Sequence, residues 1–145
     1  MCSKSESAVQ CFSNGFNCAQ AVFTTYCEEL GLDKETALEI SGAFGGGMGH
    51  TGETCGAVTG AVMLIGLKYG KSKADDNDAK VKTYALVQEF SKFFKADFGS
   101  LKCKELLNYD ISISEELQRA GEEGLFKTIC PKFVKRAVEI VEDIL

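Results

Sequence analysis

Between positions 42 and 52 the chain reads Gly42-Ala43-Phe44-Gly45-Gly46-Gly47-Met48-Gly49-His50-Thr51-Gly52. No regular helix or strand tolerates that density of glycine, because glycine loses the most backbone freedom on ordering and has no side chain to pack. The segment is therefore a loop, and the fold has to be built from what flanks it.

The flanks read as helix. The chain holds one proline, and few of its runs alternate with period two, so strands have little support. Residues 5–13 form a first helix with Ala8, Val9, Cys11 and Phe12 on its apolar face, stopped by Asn14-Gly15. Asn17 caps a helix over 18–30 that Gly31 ends, and Asp33 caps a third to about residue 41. After the loop come a buried helix over 54–69 closed by Gly70, a polar connection over 71–78, and a long amphipathic helix over 79–96. Gly99 breaks it, and Ser100 caps a short helix to Leu107. Residues 108–124 are irregular apart from one turn over 114–119, and Cys130-Pro131 opens a helix to the C-terminus. No internal repeat is visible. The expectation is an all-α fold, a compact bundle of five to seven helices. With 145 residues it forms one domain over 1–145, because two would each fall near the lower limit for a self-sufficient core.

A hydrophobic fraction of 45% and a charged fraction of 26% suit a soluble globular protein. The net charge of −5 and the lack of a basic block exclude nucleic acid and an anionic membrane as main partners. The most apolar stretch, 55–67, is shorter than the roughly 20 residues that span a bilayer and is interrupted by Gly56, Gly60 and Gly66. Residues 1–10 are polar and no secretory core follows, so the expected compartment is the cytoplasm.

Seven cysteines in 145 residues fall below the roughly 8–10% of a disulfide scaffold, and in a reducing compartment they point to redox or metal chemistry. Four share a position: Cys18 follows its cap, Cys55 opens the buried helix, Cys103 lies three residues past Ser100, and Cys130 is itself a cap. Unpaired N–H groups and the positive end of the macrodipole at a helix start favour thiolate over thiol. Lys102 and Lys104 push Cys103 the same way. Cys11 and Cys27 read as small buried hydrophobes, and Cys2 sits at a terminus expected to fray. No C-x-x-C occurs, so neither a zinc ribbon nor a thioredoxin-like motif is present, and any metal site would draw its ligands from separate helices.

Residues 47–52 fit G-x-G-x-x-G, but a dinucleotide site needs a strand before the loop, and 37–44 reads as helix. The loop's use is instead to pass backbone close to Cys55. Gly49, Gly52 and Gly56 are the glycines placed to approach a bound cofactor. Gly56 and Gly60 share one face of the buried helix and suit a tight crossing that would bring a second helix and its cysteine near Cys55. His50, the one histidine, reads as an exposed or structural residue rather than a ligand or proton carrier, and Glu53 as a helix N-terminal carboxylate rather than a general base.

These features together resemble the C_GCAxxG_C_C family of redox-active proteins. The carrying residues are Phe16-Asn17-Cys18-Ala19-Gln20-Ala21-Val22, then Gly45-Gly46-Gly47-Met48-Gly49 leading to Cys55-Gly56-Ala57-Val58-Thr59-Gly60-Ala61, then Cys103 and Cys130. The likeness spans about residues 15–145. It implies redox activity through Cys18, Cys55, Cys103 and Cys130, and it implies no substrate. Two mechanisms fit four such thiols. In one, Cys55 is a nucleophile resolved by another of the four through disulfide exchange. In the other, the four bind an iron–sulfur cluster, zinc or another soft metal. The alternative from another class is a non-catalytic module that senses a metal or docks to a membrane transporter; docking would need an exposed apolar patch over 133–145, where Val134, Ala137, Val138, Val141 and Ile144 at helix spacing read as core instead. The redox partner is not specified by sequence, and the glycine-rich close-packing face suits either an internal crossing or a homodimer.

Overall fold

The computed structural model describes residues 3–145, so Cys2 lies outside the described residues. Among these the elements are α1 (Lys4–Ser13), α2 (Cys18–Phe23), α3 (Lys34–Ser41), a 3₁₀ turn (Gly42–Phe44), α4 (Gly45–Met48), α5 (Gly56–Tyr69), α6 (Asn77–Phe98), α7 (Cys103–Leu107), α8 (Ser114–Glu122), α9 (Leu125–Thr128) and α10 (Cys130–Ile144). The fold is all-α. The only pairing of extended backbone among the described residues is an isolated antiparallel bridge between Thr54 and Lys102. The segments outnumber the expected five to seven because the glycine loop and the stretch before α10 contribute short helical pieces.

Local chemistry sets most helix starts. Asn17 and Gln20 form a reciprocal capping box, each backbone N–H donating to the other's side chain at 2.9 Å. Asp33 caps α3 and Asp76 caps α6. Helix α2 ends at Phe23, earlier than expected. The Thr24 and Thr25 hydroxyls donate to the Gln20 and Val22 carbonyls at 2.8 and 2.6 Å, and the chain continues in turns to a left-handed Gly31. Such back-bonding competes with helix continuation.

The core forms where α2 crosses α5 and where α10 packs on α1, α5 and α6. A Cβ added to Gly60 would lie 2.8 Å from the Ala19 carbonyl oxygen and 3.0 Å from the Val22 Cβ. One added to Gly56 would lie 2.9 Å from the Ala19 nitrogen and 3.0 Å from the Cys18 Cβ. The two glycines therefore let the α2 backbone touch α5, the tight crossing expected from their spacing. Phe133 of α10 meets Phe94 and Phe98 of α6, and Val134, Ala137, Val138 and Val141 are fully buried. The apolar stripe of α10 is core, which removes it as a docking face.

The glycine loop is more ordered than a plain connection. Gly46, Gly47, Met48, Gly49 and His50 all have φ between 61° and 68°, a left-handed helical turn. The N–H groups of His50, Gly52 and Glu53 close it onto the carbonyls of Gly45, Gly46 and Gly47. Each non-glycine residue in this conformation costs roughly 1–2 kcal/mol, so three glycines among the five make the turn accessible.

Candidate functional site

The four cysteines selected by their helix starts line one cavity of about 190 Å³. Cys18 is the first residue of α2, Cys55 is the N-cap of α5, and Cys103 and Cys130 are the first residues of α7 and α10. Ser100 does not cap α7. Its Oγ accepts from the Lys102 N–H at 3.0 Å, and Lys102 takes the cap position because it pairs with Thr54. The bridge holds two of the cysteines in place. The Cys55 N–H donates to the Leu101 carbonyl at 2.8 Å, and the Cys103 N–H to the Glu53 carbonyl at 2.7 Å. Cys55 and Cys103 thus stand diagonally on one face of the bridge, where Cβ atoms are up to about 7–8 Å apart. A disulfide needs roughly 3.5–4.5 Å.

Cys18 arrives by the other route, carried to Cys55 by the α2–α5 crossing. Its side chain stands beside those of Cys55 and Cys130 on the wall of the same cavity. The Cys18 pKa is pushed well above the ordinary thiol value, first by its neighbour Cys130, then by Cys55 and by burial. Cys55 moves the opposite way. Its neighbour Cys18 is the largest cause, and the N–H groups of Ala57 and Val58 at the start of α5 add to it against the cost of burial. Neither N–H makes a full cap hydrogen bond to the sulfur, so theirs is the smaller effect.

The expectation that helix starts favour thiolate at all four positions therefore needs correcting. Burial pushes Cys103 up to about 12, and the negative charge of neighbouring cysteine sulfurs adds to this. The flanking lysines do not offset it, since Lys104 reaches toward Glu53 at 3.5 Å and Lys102 is exposed. A helix start acts on a sulfur only as far as its desolvation allows. A thiol whose pKa is raised on folding favours the unfolded chain once that chain ionises. Stability should thus fall as pH rises from about 9 toward 12. The loss should be smaller in Cys103→Ala, measured as the difference in urea midpoint between the two proteins across that window.

The other sequence-selected residues divide. Gly56 lines the cavity; Gly49 and Gly52 do not, and Gly46 and Gly47 stand there instead. Gly49 (φ 61°) belongs to the left-handed turn, and Gly52 (φ 73°) lets the loop lie against Lys104 of α7. The loop comes closest to Cys103 rather than Cys55: a Cβ on Gly47 would sit 2.8 Å from the Cys103 Cβ and 2.6 Å from the Glu53 nitrogen. His50 is exposed, as expected, yet lines the mouth with its ring against Gly46. Glu53 pairs with Lys104 and does not line the cavity. Cys27 is buried away from the site, and half-buried Cys11 lies in a separate cleft near Lys4 and Lys34.

The rest of the wall is Phe12, Leu106, Leu107, Phe126 and Phe133, with Asn17 and His50 as its polar members beyond the thiols. Sequence reasoning assigned these apolar residues to the core or passed over them, because nothing local separates a cavity wall from packed interior. Among the described residues no group of three or more His, Cys, Asp or Glu side chains is arranged to hold a metal ion. Nor is any helix among the described residues long and apolar enough to cross a membrane.

No curated protein and no solved structure matches the chain. A family model does match residues 16–144, a span that contains all four cavity cysteines and the glycine turn. The chain belongs to the family described as "Putative redox-active protein (C_GCAxxG_C_C)".

Proposed function

We propose that the protein carries out thiol–disulfide exchange, with Cys55 as the nucleophile and Cys18 as the resolving thiol. The observation that carries this reading is the close α2–α5 crossing, which sets Cys18 against Gly56, the residue after Cys55, on the wall of one cavity and shifts the two thiol pKa values in opposite directions. The thiolate is the attacking species, so this polarises the pair into nucleophile and reserve. The Cys55 thiolate attacks one sulfur of a substrate disulfide, forms a mixed disulfide and releases the first thiolate. Cys18 then attacks the Cys55 sulfur, gives up its proton, forms the Cys18–Cys55 disulfide and releases the second half of the substrate. The substrate is reduced to two thiols, and the protein is oxidised by two electrons. Cys130, which shares the cavity wall with Cys18, would take up that disulfide in a second exchange, while Cys103 stays protonated at neutral pH.

The test is to equilibrate the reduced protein with the small neutral 2-hydroxyethyl disulfide and map the bridges by mass spectrometry. A Cys18–Cys55 disulfide is expected, with a mixed disulfide at Cys55 accumulating in Cys18→Ser and no bridge to position 55 in Cys55→Ser. Oxidised protein with no bridge among the four would overturn the reading. So would anaerobically purified protein carrying near-stoichiometric iron and acid-labile sulfide.

A further inference from the structure

We infer that the substrate of this site is a small, uncharged, largely apolar molecule bearing an electrophilic sulfur, and that protein disulfides and charged low-molecular-weight disulfides are excluded. The inference rests on the thiol-pair reading and specifies what that pair meets. Cys55 is 4% exposed, Cys103 8% and Cys130 6%, so a disulfide has to enter the cavity before the nucleophile can reach it. A protein disulfide carries too much chain to do so. The volume of about 190 Å³ sets the scale, since an engineered cavity of roughly 150 Å³ admits benzene. The lining holds no Lys, Arg, Asp or Glu. The carboxylates of a peptide-like disulfide would be desolvated there with no cationic partner, which is strongly unfavourable. The aromatic and aliphatic wall favours an alkyl or aryl substituent instead.

Methanethiosulfonates test this, because they share one electrophilic sulfur and one leaving group while the transferred arm changes. The Cys55 thiolate attacks the thiol sulfur, the S–S bond breaks and methanesulfinate leaves; Cys18 then displaces the arm as a thiolate. The reduced protein is treated with the neutral methyl reagent or the anionic sulfonatoethyl reagent. Each rate is divided by the rate of the same reagent with free cysteine, and the products are mapped by residue. At Cys55 the normalised preference for the neutral reagent should be about 100-fold or more, the consequence of burying an unpaired charge. Cys11 serves as an internal control. Its separate cleft is polar and contains Lys4, Lys34 and Glu28, so its preference should be small.

Equal normalised rates at Cys55 would overturn the substrate class. A strong neutral preference that stops at the methyl mixed disulfide, with no Cys18–Cys55 bridge, would support the substrate class and overturn the thiol-pair reading. A strong preference followed by the bridge supports both.

Discussion

Replacing Gly60 by valine is expected to lower stability by about 2–3 kcal/mol, or roughly 5–10 °C in melting temperature. The added side chain would begin 2.8 Å from the Ala19 carbonyl oxygen, backbone that can yield only if α2 moves off α5. The same movement would carry Cys18 away from Cys55, so the variant should also lose the Cys18–Cys55 bridge under oxidising conditions. Gly66→Ala is the control, because a Cβ at that position of the same helix meets nothing within 4 Å. That change should be neutral or stabilise by up to about 1 kcal/mol, the helix preference of alanine over glycine. Equal melting temperatures for wild type and Gly60→Val would show that the crossing is not held by close backbone contact.

The second large effect is chemical. Cys18→Ala removes the strongest influence on the Cys55 thiolate. The sign follows from the direction of that influence, which lowers the Cys55 pKa. Without Cys18 the Cys55 pKa rises, the thiolate fraction at neutral pH falls, and the alkylation profile moves to higher pH. The iodoacetamide rate at Cys55 near pH 7 should drop by about tenfold, the scale of losing one polar contact to a charged group. Alkylation followed by peptide mapping gives this rate separately from that of Cys11. An unchanged profile would mean that the N–H groups of Ala57 and Val58 set the Cys55 ionisation without Cys18. The variant would then lose only the resolving step.

Much of this architecture was legible before the structure. Asn17 and Asp33 announce their helices through side-chain geometry that acts within three residues, and Gly99 stops α6 through a backbone conformation available to single residues, whereas the helix expected to run to Gly31 already ends at Phe23. The four cysteines stood out because a helix start is also a local feature. Gly56 and Gly60 pointed to a close crossing through helical periodicity alone. Less was readable where partners come from far along the chain. Lys102 displaces Ser100 as the cap of α7 because it pairs with Thr54, a partner 48 positions away that no local pattern announces. Met48 and His50 take left-handed conformations because the turn closes on Gly45, Gly46 and Gly47, and not because of their own preferences.

The ionisation of the thiols depended on tertiary structure most of all. From sequence alone, Cys18, Cys55, Cys103 and Cys130 shared a helix start whose dipole favours the thiolate, with Cys103 favoured further by its lysines and Cys55 named as the nucleophile of the exchange mechanism. Packing made them unequal. The Cys55 pKa was lowered by its neighbour Cys18, that of Cys18 was raised by Cys130, Cys55 and burial, and that of Cys103 was pushed up to about 12 by burial and by its sulfur neighbours. A helix start is a short-range property written in consecutive residues, so the sequence by itself determined which cysteines could matter. Desolvation and the mutual influence of the sulfurs exist only once α2, α5, α7 and α10 have met, so the tertiary structure alone decided which thiol pKa falls and which rise.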